Sequence, residues 1–205
     1  MRFHQELSDV SFPQQRYSIE EYVDRERVAP YKNEYYQGQI FAMSGGSLRH
    51  STIGGNVFAT LRNLLRCSSC RPRNSNQRVR VPANGLATYA DITIVCGELQ
   101  VDIEDRDAII SPCVIFEVLS RSTESYDRGK KFDLYRELES FQEYILIAQE
   151  EPQIERFVRQ LDGTWNLTVL KGLKSVLDFH SVRGKLSFAE VYEDVTFGPE
   201  DVPAN

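Results

Sequence analysis

With 205 residues, 41% hydrophobic and 26% charged, the chain has the composition of a soluble globular protein with room for a sizeable core. No apolar stretch is long enough to span a bilayer, Met1-Arg2-Phe3-His4-Gln5-Glu6 lacks the apolar core of a signal peptide, and four cysteines are too few for a disulfide scaffold. A cytoplasmic protein of one domain, 1–205 with its core at about 17–195 and peripheral termini, is expected; the net charge of −6 argues, on totals alone, against a partner rich in phosphate.

Ser18-Ile19-Glu20-Glu21 is a capping box, so a short helix runs from there to about Val28 and Pro30 closes it. Glu34-Tyr35-Tyr36 and Gln39 to Met43 flank a turn at Gln37-Gly38 and read as a hairpin; Ser44-Gly45-Gly46-Ser47 is a loop. A helix is expected from about Leu48 to Leu65. Ile53, Val57, Leu61 and Leu64 line one stripe, Arg62 and Arg66 lie opposite, and Gly54-Gly55 weakens it locally and suggests close packing.

From Tyr35 to Ala90 there is no Asp or Glu, but there are seven arginines: Arg49, Arg62, Arg66, Arg71, Arg73, Arg78 and Arg80. That segment carries +7, which leaves −13 for the rest of a chain whose total is −6. Such segregation is a footprint of polyanion binding, and the use of Arg alone suits bidentate phosphate contacts. The alternative is a basic surface balancing an acidic one within the fold or across a homodimer.

Within this stretch Arg66 to Asn76 reads as a polar loop, and Gln77 to Pro82 alternates, with Val79 and Val81 inward and Arg78 and Arg80 outward. Cys67-Ser68-Ser69-Cys70 is a single CxxC with no second pair, a weak zinc signal. Asn84-Gly85 turns the chain into a strand that opens at Asp91; Cys96 and Cys113 fall in strands as buried thiols. An acidic loop (Glu98, Asp102, Glu104, Asp105, Asp107) leads to the strand Val114 to Leu119. A helix from about Tyr126 to Glu139 follows, then strands at Glu143–Ala148, Ile154–Val158, Trp165–Leu170 and Val176–Phe179, and a short helix capped by Ser187-Phe188-Ala189-Glu190. The class is α/β, a mixed central β-sheet flanked by α-helices.

Two acids stand where apolar strands should be. Glu117 sits inside Val114-Ile115-Phe116-Glu117-Val118-Leu119, and Asp91 heads Ile92 to Cys96. Desolvating an unpaired charge is costly, so both require partners. On the following helix, steps of about 100° per residue put Leu134, Tyr135 and Leu138 within about 60° of Lys131, which therefore centres the apolar face. Asp127 shares that face and Lys130 points to the polar flank. Two or three carboxylates at strand ends suit a hard divalent cation, and a nearby lysine suits orientation of a water or compensation of phosphate charge. Each residue also has a structural reading: Asp91 as a turn acid, Glu117 paired with an arginine such as Arg80, Lys131 paired with Asp127, and Asp127 complementing a helix start.

The residues Glu34 to Ser44, His50-Ser51, Tyr89-Ala90-Asp91, Phe116-Glu117-Val118-Leu119-Ser120-Arg121-Ser122-Thr123, Tyr126 to Lys131 and Tyr135 together resemble the Uma-two putative restriction endonuclease family of the PD-(D/E)XK nuclease superfamily. The likeness runs from about Tyr17 to Val195. It implies a restriction-endonuclease-like core, Asp91 and Glu117 as metal-binding acids, Glu34 as a further acid near the metal, and Mg²⁺ as cofactor with Mn²⁺ as substitute. The superfamily lysine two residues after the glutamate is here Leu119, so Lys131 becomes its displaced equivalent. Ala90 and Arg121 stand where prolines are usual, and neither position supplies a ligand. His50 matches a family position and, lying close to Ile53 and Val57 on the helix, reads as a packed, hydrogen-bonded core histidine rather than a ligand; Asp127, Tyr135 and His50 are expected to support the site. The resulting expectation is a Mg²⁺-dependent endonuclease acting on DNA, with Arg62, Arg66, Arg71, Arg73, Arg78 and Arg80 contacting the backbone. The alternatives are a non-catalytic nucleic-acid-binding or assembly protein and a small-molecule phosphoesterase.

Overall fold

The computed structural model describes residues 15–198; Met1–Glu6 and the chain ends expected to be peripheral lie outside them. The elements in order are α1 (Ile19–Val28), β1 (Asn33–Tyr36), β2 (Gln39–Ala42), α2 (Leu48–Leu64), β3 (Cys70–Asn74), β4 (Arg78–Val81), β5 (Leu86–Tyr89), β6 (Ile92–Cys96), β7 (Ala108–Ile109) and β8 (Val114–Leu119). They continue as α3 (Glu124–Tyr126), a π-helical turn (Asp127–Lys131), α4 (Phe132–Tyr135), β9 (Glu143–Ala148), β10 (Gln153–Arg159), β11 (Trp165–Lys171), β12 (Val176–Asp178), β13 (Lys185–Ser187) and α5 (Phe188–Val191).

Among the described residues, two principal sheets replace the single one expected. One has the order β11-β10-β9-β8-β6-β3 and is mixed, because β8 and β9 run parallel while the other neighbours are antiparallel. The other has the order β2-β1-β5-β4-β7. The α/β class and the flanking helices are as the sequence indicated. No described helix is long and apolar enough to cross a membrane.

The two faces of β8 explain most of the core. Val114, Phe116 and Val118 face one apolar cluster, with Ile53, Val57 and Leu61 of α2 and Phe188 and Val191 of α5. Ile115 and Leu119 face the other, with Phe132, Tyr135, Phe141 and Tyr144. Both faces are covered, so β8 is apolar throughout rather than alternating, and all six of its residues are buried. Glu117, between Ile115 and Leu119, is thereby directed to the α4 side.

The local signals for the smaller elements hold. Ser18 and Glu21 form a reciprocal capping box on α1, as do Ser187 and Glu190 on α5. The β1–β2 turn has positive φ at Gln37 and Gly38 (48° and 85°), the form whose twist matches a two-residue hairpin.

Four readings change. The expected helix from Tyr126 to Glu139 ends at Tyr135 and has a π turn at its centre. The Arg66–Asn76 loop contains β3, whose register sets Cys70 opposite Cys96, and the two form a disulfide. Cys96 is therefore not a thiol, while Cys113 is, and Cys70 is unavailable to a zinc pair with exposed Cys67. Arg78 and Arg80 do not face out. β4 lies between β5 and β7, and both guanidinium groups are buried against the acidic loop, Arg78 on Asp105 and Arg80 on Glu104 at 3.6 Å. Alternation separates two faces of a strand, but it does not distinguish solvent from an internal carboxylate. Finally, Gly54 and Gly55 are not tightly packed: a Cβ on either would meet nothing within 4 Å.

Candidate functional site

Asp91, Glu117, Asp127 and Lys131 meet at one end of the mixed sheet, and Glu34 reaches them from the other sheet. They line a cleft of about 1020 Å³ with His50, Tyr126 and the Gly45-Gly46 loop. The antiparallel pairing of β6 with β8 sets Ile92 opposite Phe116, which brings Asp91 to the end of β8. The Asp91 Oδ2 accepts the Val118 N–H at 2.7 Å, and the Asp91 N–H makes a long contact of 3.4 Å to Glu117 Oε2.

Glu117 is 3% exposed and Lys131 4%. Lys131 Nζ lies 2.8 Å from Glu117 Oε1 and 3.5 Å from Asp127 Oδ1, and makes a 3.4 Å contact to the Tyr89 carbonyl. Tyr135 donates its hydroxyl to the same Glu117 oxygen at 3.1 Å. Lys130 is exposed, its ammonium over the Tyr36 ring, so Lys131 is the lysine within reach of Glu117. Leu119, where the resemblance leads one to look for a lysine, is buried in the apolar cluster with Ile115 and Tyr144. The π turn spans Asp127–Lys131 and holds both charges inward; such turns are frequent at functional sites.

Glu34 is committed on both oxygens. Tyr126 donates to Oε1 at 2.5 Å and Thr88 to Oε2 at 2.6 Å. His50 is not enclosed in the core as expected. It is half-buried on the cleft wall with Nε2 at 3.2 Å from Asp91 Oδ2.

The electrostatics follow from four carboxylates sharing a cleft with one fully buried ammonium. Burial raises the Glu117 carboxyl to about 8; Asp127 and Asp91 add to this, while Lys131 opposes it. Burial also disfavours the Lys131 ammonium, but Glu117 and Asp127 outweigh that and hold it well above its ordinary value. Asp91 is lowered despite its burial because His50 and the Val118 N–H bond its charged form; for the same reason His50 is raised against its own desolvation. The Glu117 proton has a defined consequence. The folded state keeps it between its ordinary 4.5 and about 8, so this group's contribution to stability falls as pH rises across that window. Were Glu117 to hold a divalent cation, that cation would displace the same proton. Mn²⁺ affinity measured by calorimetry is therefore expected to rise by about tenfold per pH unit below pH 8 and to level off above it. Affinity independent of pH from about 6 to 9 would mean that Glu117 holds no cation.

Sequence reasoning overlooked Lys32 and Thr88. Lys32 lines the cleft, donates to the Ser75 carbonyl at 2.7 Å and lies over the Tyr89 ring. An isolated lysine in a loop gives no signal. Thr88 belongs to β5, which was not recognised as a strand. Of the arginines, Arg78 and Arg80 are internal, whereas Arg62, Arg66 and Arg71 are exposed near the far end of α2 and Arg73 is half-buried beside them on β3.

The comparisons with known proteins agree with one another. The Uma2 family model, described as putative restriction endonuclease, matches residues 19–189. An uncharacterised protein of Synechocystis sp. is 36% identical over 158 residues, 76% of this chain and 80% of the relative. A second uncharacterised protein of the same organism is 30% identical over 159 residues, 78% of this chain and 90% of the relative. The crystal structure of a putative nuclease belonging to DUF820 from Anabaena variabilis superposes with a TM-score of 0.65 at 15% identity, covering 82% of this chain and 96% of that one. At that identity the likeness shows the fold.

Proposed function

This chain belongs to the Uma2 family of putative restriction endonucleases, and from that premise we propose that its cleft hydrolyses DNA phosphodiester bonds with a divalent metal ion, Mg²⁺ with Mn²⁺ as substitute. The observation that carries the reading is the convergence of Asp91, Glu117 and Lys131 at one end of the sheet, with each acid retaining an oxygen for a cation. Asp91 uses Oδ2 for His50 and Val118, and no contact to Oδ1 is seen among the described residues. Glu117 uses Oε1 for Lys131 and Tyr135, and its Oε2 has only the 3.4 Å contact.

The donor set fits a hard ion. Among the described residues no three of His, Cys, Asp and Glu are gathered into a cage, and Mg²⁺ is commonly held by one or two carboxylates while keeping several waters. Glu117 keeps its proton up to about 8 in the absence of a further cation, and a divalent ion beside it would favour the ionised form. Such an ion supplies Lewis acidity and charge compensation to the phosphodiester.

The protein's own groups do the rest. Lys131 offsets negative charge building on the phosphate and holds Glu117 in place. His50 and the Val118 N–H fix the Asp91 carboxylate, as Tyr135 fixes Glu117. Glu34, anchored by the buried Thr88 hydroxyl, holds Tyr126 at the cleft and has both oxygens occupied rather than serving as a third ligand.

A plasmid-nicking assay tests the reading. Conversion of supercoiled DNA to nicked circles is expected with Mg²⁺ or Mn²⁺ and is expected to stop when EDTA removes the metal. Nicking that persists in EDTA would refute the metal role. Salt-dependent DNA retention with no nicking in either metal would identify a binding module instead.

A further inference from the structure

Three of the seven arginines in the acid-free segment are neutralised inside the protein: Arg49 by Glu150, Arg78 by Asp105 and Arg80 by Glu104. Arg62, Arg66, Arg71 and Arg73 form no ion pair among the described residues. Arg62, Arg66 and Arg71 line one hollow of about 210 Å³. Arg71 is held there by its Nη1, which donates to the carbonyls of Ser68 and Cys70 at 2.6 and 2.8 Å.

The hollow and the cleft are joined by two elements that run side by side. On α2, Ser51, Gly55 and Phe58 line the cleft. Arg62 continues that same row at i+4, i+7 and i+11 spacing, about 17 Å from Ser51 at 1.5 Å per residue. On β3, Arg71 lines the hollow, while Asn74 lines the cleft from the opposite face of the strand's other end. Between the two ends lie Gly54 and Gly55. Glycine inside a helix is destabilising relative to alanine. Neither glycine has a positive φ, and neither has a neighbour within 4 Å of a Cβ, so nothing inside the protein requires them. Both line the cleft.

We propose that the exposed row of α2 forms a track for a polynucleotide strand, which passes over Gly54-Gly55 from the Asp91–Glu117 site and seats a distant phosphate among Arg62 and Arg66 of α2 and the adjacent Arg71 of β3. This rests on the nuclease reading and names its substrate class: a polymer that extends several nucleotides to one side of the scissile bond, since the row from Ser51 at the cleft to Arg62 alone spans about 17 Å, about five 3.4 Å rises. Missing side chains leave space for the sugar-phosphate backbone, and arginine forks grip phosphate bidentately. A mononucleotide-sized ester would use none of this surface.

The test is duplex and single-strand binding, in Ca²⁺ to suppress cleavage, by the intact chain and two variants. Arg62→Gln combined with Arg66→Gln is expected to weaken binding of a duplex of about 20 base pairs by at least tenfold at low salt and to reduce the slope of log K against log[salt] by about 2. In Mg²⁺, cleavage of that duplex is expected to fall relative to cleavage of an oligonucleotide too short to reach the hollow. Gly55→Gln is expected to raise the unfolding temperature while weakening polymer binding, two opposite signs that a purely structural glycine would not produce. Wild-type affinity and salt slope in the arginine variant, or wild-type polymer affinity in Gly55→Gln, would overturn the track. A wild-type protein that binds no polynucleotide would instead overturn the nuclease reading on which the track depends.

Discussion

Glu117→Gln is expected to lower metal-dependent plasmid nicking by at least about 10²-fold, the size of one lost electrostatic contact at a reacting centre, with little change in thermal stability. The two effects separate for a stated reason. Glutamine keeps the shape of the side chain and an acceptor for the Tyr135 hydroxyl, and Lys131 retains Asp127 at 3.5 Å, so no buried charge is left alone. What is lost is the anionic oxygen that a divalent ion requires. The measurement is a nicking time course beside a melting curve. Wild-type nicking by the variant would refute the proposed mechanism. A melting point lowered as far as that of a core truncation would mean that Glu117 acts mainly as a structural ion-pair partner.

Lys131→Met should have the opposite profile, a large loss of both stability and activity. Removing the ammonium leaves Glu117 and Asp127 buried at 3% and 4% exposure without their shared cation, and breaking a buried pair in this way costs about 3–5 kcal/mol. The cost depends on pH. It is largest above about 8, where Glu117 is ionised in the parent protein. It shrinks as pH falls and the orphaned carboxylates take up protons. Urea denaturation at pH 5 and pH 8.5 measures the difference. Equal losses at both values would mean that lost packing of the lysine stem, not lost charge, accounts for the effect. Combining Lys131→Met with Glu117→Gln is expected to recover part of the stability and none of the nicking, because it removes one of the two stranded charges, leaves Asp127 without its cation and does not restore the site.

Much of the site is legible in the sequence, and always from the same kind of conflict. Glu117 was visible because a charge in a fully apolar strand needs a partner. Lys131 was visible because it centres an apolar helical face. The π turn does not undo this: widening one turn rotates the face slightly but does not expel a side chain already directed inward. Where no such conflict exists, the sequence was mute. Lys32 and Thr88 occupy ordinary positions in a loop and an unrecognised strand. β3 has the composition of a loop, with two arginines and a proline among its five residues, and only its pairing with β6 makes it a strand. Arg78 and Arg80 alternate with valines as a solvated edge would, yet the acidic loop folds over them. That pairing supports the alternative of internal charge balance for part of the arginine segment, and it leaves Arg62, Arg66, Arg71 and Arg73 as the part without carboxylate partners.

The sequence by itself determined the α/β class, the position of most helices and strands, and which charged residues could not be left unpartnered, because periodicity and desolvation act locally. Only the tertiary structure decided which partners those charges found. Lys131 meets Glu117 because the turn before α4 lies across the end of β8; His50 meets Asp91 because α2 begins at the mouth of the cleft. Three arginines of one acid-free segment are cancelled and four are not because of where distant carboxylates fold back. Those outcomes depend on distances between residues far apart in the chain. Coulomb and hydrogen-bond energies are set by those distances, which no local pattern records.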